Sequence, residues 1–312
     1  MSNEHIPVAL ERTIELLTPA LSGNPSCLID ATVGLGGHTE KFLEKFADLR
    51  VIGIDRDKSA LEKAGTRLSR FGNRVTLVHA VYDQITEVAH GNGVERVHGI
   101  LFDLGVSSMQ LDNAERGFAY SQDAPLDMRM DQTRGVSASE VVNTYSHNEL
   151  TRILRVYGEE KFASRIAARI IDARKVSPLN STVALAELVK ESIPAATRRV
   201  GGNPAKRTFQ ALRIYVNNEL EVLERAIPAA LELLAINGRM VVLSYHSLED
   251  RIVKQSFAQG STSEVPYGLP VEPTPARYQL LTRASEGASD DEVATNPRAQ
   301  SVRIRAIERK AA

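Results

Sequence analysis

Cysteine is almost missing from this chain: Cys27 stands alone among 312 residues. A single thiol closes no intrachain disulfide and builds no multi-cysteine zinc site, and no metal site is expected. Its place inside an apolar run marks Cys27 as a small buried hydrophobe. Long apolar stretches are absent too, and no run approaches the roughly 20 residues that cross a bilayer. The opening MSNEHIPVALERTIELL has no basic leader followed by an apolar block, so no secretory signal, no membrane partner and a cytoplasmic location are expected. Nor is one sign of charge in excess, since 38 Lys and Arg meet 39 Asp and Glu. That excludes a uniformly basic nucleic-acid binder but not a local basic face. With 43% hydrophobic and 25% charged residues, the chain suits one large globular domain or two moderate ones.

What is present is organised around residues 28–38, LIDATVGLGGH. Leu28 and Ile29 end an apolar run, Asp30 stands at its end, and Gly34, Gly36 and Gly37 precede a helix-like segment with Phe42, Leu43 and Phe46 on one side. Strand, glycine turn and helix bring backbone close to a nucleotide: glycine has no Cβ in the way, and the helix N-terminus offers unpaired N–H groups. A bare glycine cluster is a weak signal. It gains weight from Asp55, which closes the next apolar run (residues 50–57) 21 residues after Gly34. An acid at that spacing suits ribose hydroxyls, the plainer alternative being a helix N-cap or a surface acid.

Residues 6–21 read as an amphipathic helix and residues 58–70 as another. Residues 74–81 form a third strand followed by Tyr82, which could face a purine or be a half-buried strand-end residue. Residues 97–104 form a fourth strand, with Asp103 near its carboxyl end. Residues 239–246 make a fifth, residues 247–257 a helix, and 259–276 a Pro/Gly/Ser-rich loop. Residues 278–283 and 301–309 supply the last strands, the latter alternating like an edge-side antiparallel strand. Apolar runs alternating with helices predict an α/β fold with a parallel, doubly wound sheet. Ligands bind beyond the carboxyl ends of such strands, so Gly36, Asp55, Tyr82 and Asp103 are expected to share one crevice.

Between these runs the strand pattern stops. Ser137 with Glu140 and Ser146 with Glu149 read as capping boxes. Phe162, Ile166 and Ile170 give an apolar stripe with Lys161, Arg165 and Arg169 beside it. A long helix over 205–235, with Pro228 as kink or restart, leads back to the sheet. The expected organisation is a core of residues 1–108 and 217–312, interrupted by a helical insertion at 109–216. Residues 146–213 carry 13 Lys and Arg against 6 Asp and Glu. Any single arginine there reads as a solvated helix face, but the concentration favours a polyanion surface, with Arg165 and Arg169 as candidates. His246, in HSLEDR after strand five, is by type a core or cap residue and by position a candidate RNA contact. Asp127, Arg129 and Asp131 suit internal salt bridges or a brace for a base pocket.

A glycine turn with a ribose-binding acid serves dinucleotides and S-adenosylmethionine alike. The dinucleotide fingerprint would put glycine or alanine at position 39, where Thr39 stands. The D-x-x-x-G-x-G of Asp30 to Gly36 instead resembles the cofactor motif of methyltransferases acting on exocyclic amino groups of bases. Such enzymes carry an acid or amide and a tight turn after strand four, where DLGVSS (103–108) lies.

DATVGLGGH, FDLGVSSMQLD, RGFAY with DAPLDMRMD, YGEEKFASRIA, RTFQALRIYVNNEL, SYHSLEDRIVK and NPRAQSVRIRAIER appear in order between His5 and Arg309. Together they resemble the RsmH (MraW) family. The resemblance implies a class I, Rossmann-like methyltransferase fold, with a doubly wound seven-stranded, mostly parallel sheet and an inserted all-helical domain that takes the RNA. It implies methyl transfer from S-adenosylmethionine to the N4 amino group of a cytidine in the decoding centre of 16S rRNA. The partner is then that rRNA or the small ribosomal subunit, and a homodimer is left open. Cofactor contacts are implied at Gly36, Gly37, His38, Asp55, Tyr82, Asp103 and Gln110. Tyr82 replaces a common phenylalanine, and Met109 a usual proline in the turn that aims Gln110.

A cytosine amino group is a poor nucleophile because its lone pair is delocalised into the ring. Positioning and acceptance of its N–H hydrogens are what an enzyme can add. Asp103 is the candidate acceptor, with the carbonyls of residues 104–105 beside it; a purely structural or cofactor-binding role is the alternative. Ring-carbon methylation usually needs a cysteine near the base, and Cys27 precedes the glycine turn. The rival readings are an RNA-binding assembly factor on a lapsed enzyme fold, a nicotinamide oxidoreductase, and an amino-methyltransferase of another nucleic acid.

Overall fold

The computed structural model describes residues 7–23, 25–195, 203–263 and 276–311. Its strands are β1 (Ser26–Asp30), β2 (Leu49–Asp55), β3 (Val75–His79), β4 (Val97–Asp103), β5 (Leu234–Ser244), β6 (Tyr278–Leu280) and β7 (Arg303–Arg309). They form one sheet in the order β3-β2-β1-β4-β5-β7-β6. The first five pair in parallel, and β7 runs antiparallel between β5 and β6.

The apolar runs were continuous because both sheet faces are buried. Leu28, Val51, Leu101 and Val241 point to one side, where Leu17, Phe42 and Ala64 cover them from helices Leu10–Leu21, Gly37–Lys45 and Lys58–Leu68. Ile29, Ile52, Ile100 and Val242 point to the other, under Ile85, Ile227 and Val253 from helices Ile85–Gly91, Glu219–Leu233 and Ser247–Gly260.

The chain folds into two compact units, Met1–Gly105 with Leu220–Ala312, and Val106–Glu219. The first holds the sheet. Among the described residues the second is helical, its only β pairing an isolated bridge between Pro125 and Ser181. Helices Ala138–Thr144, His147–Gly158, Ala163–Val176, Thr182–Ser192 and Lys206–Asn217 bury Val141, Leu154, Ile166, Ile170, Leu185 and Leu212. Ser146 and Glu149 form a reciprocal capping box, whereas Ser137 accepts from Glu140 N without the return bond.

Several expectations need correction. The long helix is two helices, parted at Asn218, whose φ of 50° and ψ of 37° are left-handed. Asparagine tolerates that conformation and so ends a helix, while Pro228 lies inside the second helix. β5 starts at Leu234, with an irregular register between Val97 and Gly99 and left-handed Asn237. β7 is second from the edge, and its charges are satisfied within the fold: Arg305 Nε lies 2.6 Å from Asp250 Oδ1, and Arg239 Nε 2.8 Å from Glu308 Oε2. Most of the loop expected over 259–276 lies outside the described residues.

Candidate functional site

Strand order reverses between β1 and β4, and such a switch point opens a crevice beyond the strands' carboxyl ends. The loop leaving β1 is tied to its neighbours on both sides. Gly34 N donates to Asp55 Oδ2 at 2.9 Å, and Val33 N to Ile54 O at 2.9 Å, fastening it to β2. Asp103 N donates to Thr32 Oγ1 at 2.7 Å, fastening it to β4. Asp30 is buried beneath, accepting from Thr39 Oγ1 at 2.7 Å and Thr32 N at 3.3 Å. Gly36 caps helix Gly37–Lys45 with φ 78°, and a Cβ there would stand 2.9 Å from Leu68 Cδ1, so both its conformation and its packing require glycine. The glycine turn, Asp55 and Asp103 are thus brought to one place.

The carboxyls there are unusually basic. Burial pushes Asp30 up to about 6, only partly offset by Thr39 and His38. Burial pushes Asp55 up to about 6, against the N–H groups of Asp57 and Gly34. Asp103 rises to about 7, again by burial, against the hydrogen bond from Tyr245 and with help from the negative charge of Glu249. Asp55 is half-buried and gives one oxygen to each of two backbone donors, so each keeps a lone pair for a ribose hydroxyl. This donor set, a left-handed glycine turn and a helix N-terminus fit S-adenosylmethionine, whose methionine carboxylate suits helical N–H groups.

His38 is buried, with Nε2 at 3.0 Å from Val8 O and Nδ1 at 3.8 Å from Asp103 Oδ2. Burial lowers its basicity. Tyr82 opens a short turn (Tyr82–Gln84) after β3, half-buried and edge-on to Phe102 with ring centroids 5.6 Å apart. His246 caps helix Ser247–Gly260: its Nδ1 accepts from Glu249 N at 3.4 Å, and its Nε2 lies 3.2 Å from Glu249 Oε1.

The remaining candidates belong to the helical unit. Gln110 is buried, and its Oε1 accepts from Ser107 N at 3.1 Å in the capping box of helix Ser108–Asp112. Arg165 and Arg169 are exposed on helix Ala163–Val176, and Arg169 lies 3.3 Å from Glu191. Asp127 holds Arg129 through two bonds of 2.9 and 2.8 Å, and Asp131 holds Arg134 at 2.8 Å. Around them Asn217 bonds Met128 O and Met130 N, each at 2.7 Å, while Arg116 donates to the carbonyls of Arg129 and Met130.

Sequence reasoning missed Thr32 and Tyr245. The Tyr245 hydroxyl donates to Asp103 Oδ1 at 2.6 Å across 142 residues of chain. Its one signal was its place next to His246 at the end of a strand. Cys27 is buried, and desolvation raises its thiol to about 11, so no thiolate stands here.

A family model described as the MraW methylase family matches residues 2–310. A Streptomyces avermitilis protein named Ribosomal RNA small subunit methyltransferase H is 57% identical over 311 residues, covering 98% of this chain and 97% of that protein. The protein of the same name from Parafrankia sp. (strain EAN1pec) is 59% identical over 314 residues, covering 100% and 96%. That from Thermobifida fusca is 58% identical over 308 residues, covering 98% and 93%. No helix among the described residues is long and apolar enough to cross a membrane.

Proposed function

Because this chain belongs to the MraW methylase family, we propose that it methylates the N4 amino group of a cytidine in the decoding centre of 16S rRNA. It is an S-adenosylmethionine-dependent rRNA methyltransferase of the small subunit, on a Rossmann-like fold. Free 16S rRNA or the assembled small ribosomal subunit is the proposed partner, and the cytoplasm the proposed location.

S-adenosylmethionine supplies a methyl group on a cationic sulfonium, electrophilic without further activation. Gly37 and His38 would hold its methionine end by backbone N–H groups, at the turn that Gly36 shapes, Asp55 its ribose, and Tyr82 the adenine. The protein's remaining work concerns the amine. Fixing it in line for attack is worth on the order of 7–11 kcal/mol in well-oriented systems. Taking up its proton as the nitrogen is methylated adds roughly 10²–10⁴-fold.

The observation that carries this reading is Asp103, whose backbone N–H ties it through Thr32 to the glycine turn and whose carboxyl is pushed up to about 7, close to the ideal for a base at neutral pH. The helical unit, with its excess of Lys and Arg, is assigned the RNA, which must be unstacked at the target base. The test is nucleoside mass spectrometry of small-subunit rRNA from cells with and without the protein. N4-methylcytidine should vanish on deletion and return with the wild-type gene. A signal unchanged by deletion contradicts the assignment, and loss of another methylated nucleoside points to another target.

A further inference from the structure

The two oxygens of Asp103 are not equivalent. Oδ1 accepts the Tyr245 hydroxyl at 2.6 Å. Oδ2 lies 3.8 Å from His38 Nδ1. The Val8 carbonyl can only accept, so the 3.0 Å contact fixes the ring hydrogen of His38 on Nε2. Nδ1 therefore turns a lone pair, not a donor, toward Oδ2. The charged and titratable groups bearing on this pair within the sheet unit are Asp30 from the end of β1, His38 from helix Gly37–Lys45, Glu249 from helix Ser247–Gly260, and Glu292 from helix Asp290–Thr295. None of them donates to Asp103. The phenol is the one side-chain donor to its carboxyl among the described residues.

We propose that Tyr245 is a positioning residue for methyl transfer: its hydroxyl pins Oδ1 and holds Asp103 as the carboxylate, leaving Oδ2 as the atom that takes the amine proton. The inference rests on the reading of Asp103 as proton acceptor. As the amino nitrogen bonds to the methyl carbon, the carbon–sulfur bond breaks and the sulfur keeps that pair. The N–H proton passes to Oδ2, the N–H pair stays on nitrogen, and solvent recovers the proton after product leaves. The phenol favours the charged form of a carboxyl that burial otherwise protonates, so losing it must make Asp103 more basic. Tyr245 cannot itself serve as the base, because burial and the neighbouring Asp103 charge raise its own pKa well above 10.

Tyr245→Phe keeps the ring and removes only the hydroxyl. The experiment records kcat/KM against pH for methyl transfer to 16S rRNA, with S-adenosylmethionine affinity by calorimetry and thermal unfolding on the same preparations. The acidic limb should move up by about one to two pH units, the usual worth of a hydrogen bond to a charged group. The lost rate should return as pH rises, with cofactor affinity unchanged. A limb that stays in place overturns the inference, as does a uniform loss at every pH with a lowered Tm, which would mark a packing role. Asp103→Asn separates the premises. If that variant stays active, the Asp103 reading fails and this inference with it; if it is inactive while Tyr245→Phe leaves the limb unmoved, the inference about Tyr245 alone fails.

Discussion

The sheet unit and the helical unit treat their buried and half-buried carboxylates in opposite ways. In the sheet unit, Asp30, Asp55 and Asp103 sit at strand ends among hydroxyl and backbone donors, and burial pushes all three upward. In the helical unit, Asp127 sits against the guanidinium of Arg129, which outweighs burial and holds it below the usual carboxylate range. An acid paired with its own arginine is neutralised and serves the loop it braces. One held by dipoles alone stays poised near neutral pH and, where it is half-exposed as Asp55 and Asp103 are, available to a ligand. The contrast is not only between units, because in the sheet unit Asp250 on helix Ser247–Gly260 is also held low, by Arg305 and Arg303 of β7. It separates acids that fasten the fold from acids that face the crevice.

Asp103→Asn should break this contrast hardest. Turnover should fall about 10²–10⁴-fold, the range for losing a general base, with the fold retained. Radiolabelled methyl transfer to 16S rRNA measures it, and a loss below tenfold would place Asp103 among the fastening acids.

Next in size is a change confined to the helical unit. Gly117 has φ 70°, and a Cβ there would lie 2.2 Å from Pro125 O and 2.8 Å from Asp127 N, both backbone atoms. Gly117→Ala should therefore destabilise the helical unit by roughly 3 kcal/mol or more. Denaturant unfolding checks this, and an unchanged unfolding midpoint would contradict it.

A smaller effect is expected from charge reversal on the exposed face. Arg165→Glu with Arg169→Glu should weaken binding to small-subunit rRNA by about tenfold at low salt and flatten the salt dependence, leaving cofactor affinity intact. An unchanged salt titration would remove this helix from the RNA surface.

The smallest effect is on stability. Asp30, Asp55 and Asp103 are protonated in the folded protein up to about pH 6, 6 and 7, but in the unfolded chain only to about 3.8. Above that value the folded state binds more protons, so these groups make stability fall as pH rises toward 7. His38, lowered by burial, works the other way below its ordinary 6.5. Three carboxyls against one imidazole predict that the ligand-free protein loses a few degrees of Tm between pH 5 and 7. Asp30→Asn should flatten that slope, and an unaltered slope would assign it elsewhere.

The same contrast explains what could be read in advance. Strands buried on both faces leave apolar runs that end abruptly, so β1 to β4 and the acids closing them were visible. So was the glycine turn, because φ 78° at Gly36 admits few residue types. The break at Asn218 was not, since proline is the louder breaker and tertiary packing let Pro228 stay helical. β5 could not be started correctly, because its first residues pair only through an irregular register. The Tyr245–Asp103 bond joins residues 142 apart and leaves no periodic trace. Asp127, Arg129 and Asp131 admitted two readings in one dimension; in three, their salt bridges lie within a single loop.

The most direct test of the central claim combines purified protein, small-subunit rRNA lacking the modification and methyl-labelled S-adenosylmethionine, with the product digested to nucleosides for mass spectrometry. Wild-type protein should place the label on N4 of cytidine, and Asp103→Asn should place almost none. Label on a ring carbon or a ribose oxygen, or equal labelling by the variant, would contradict the account.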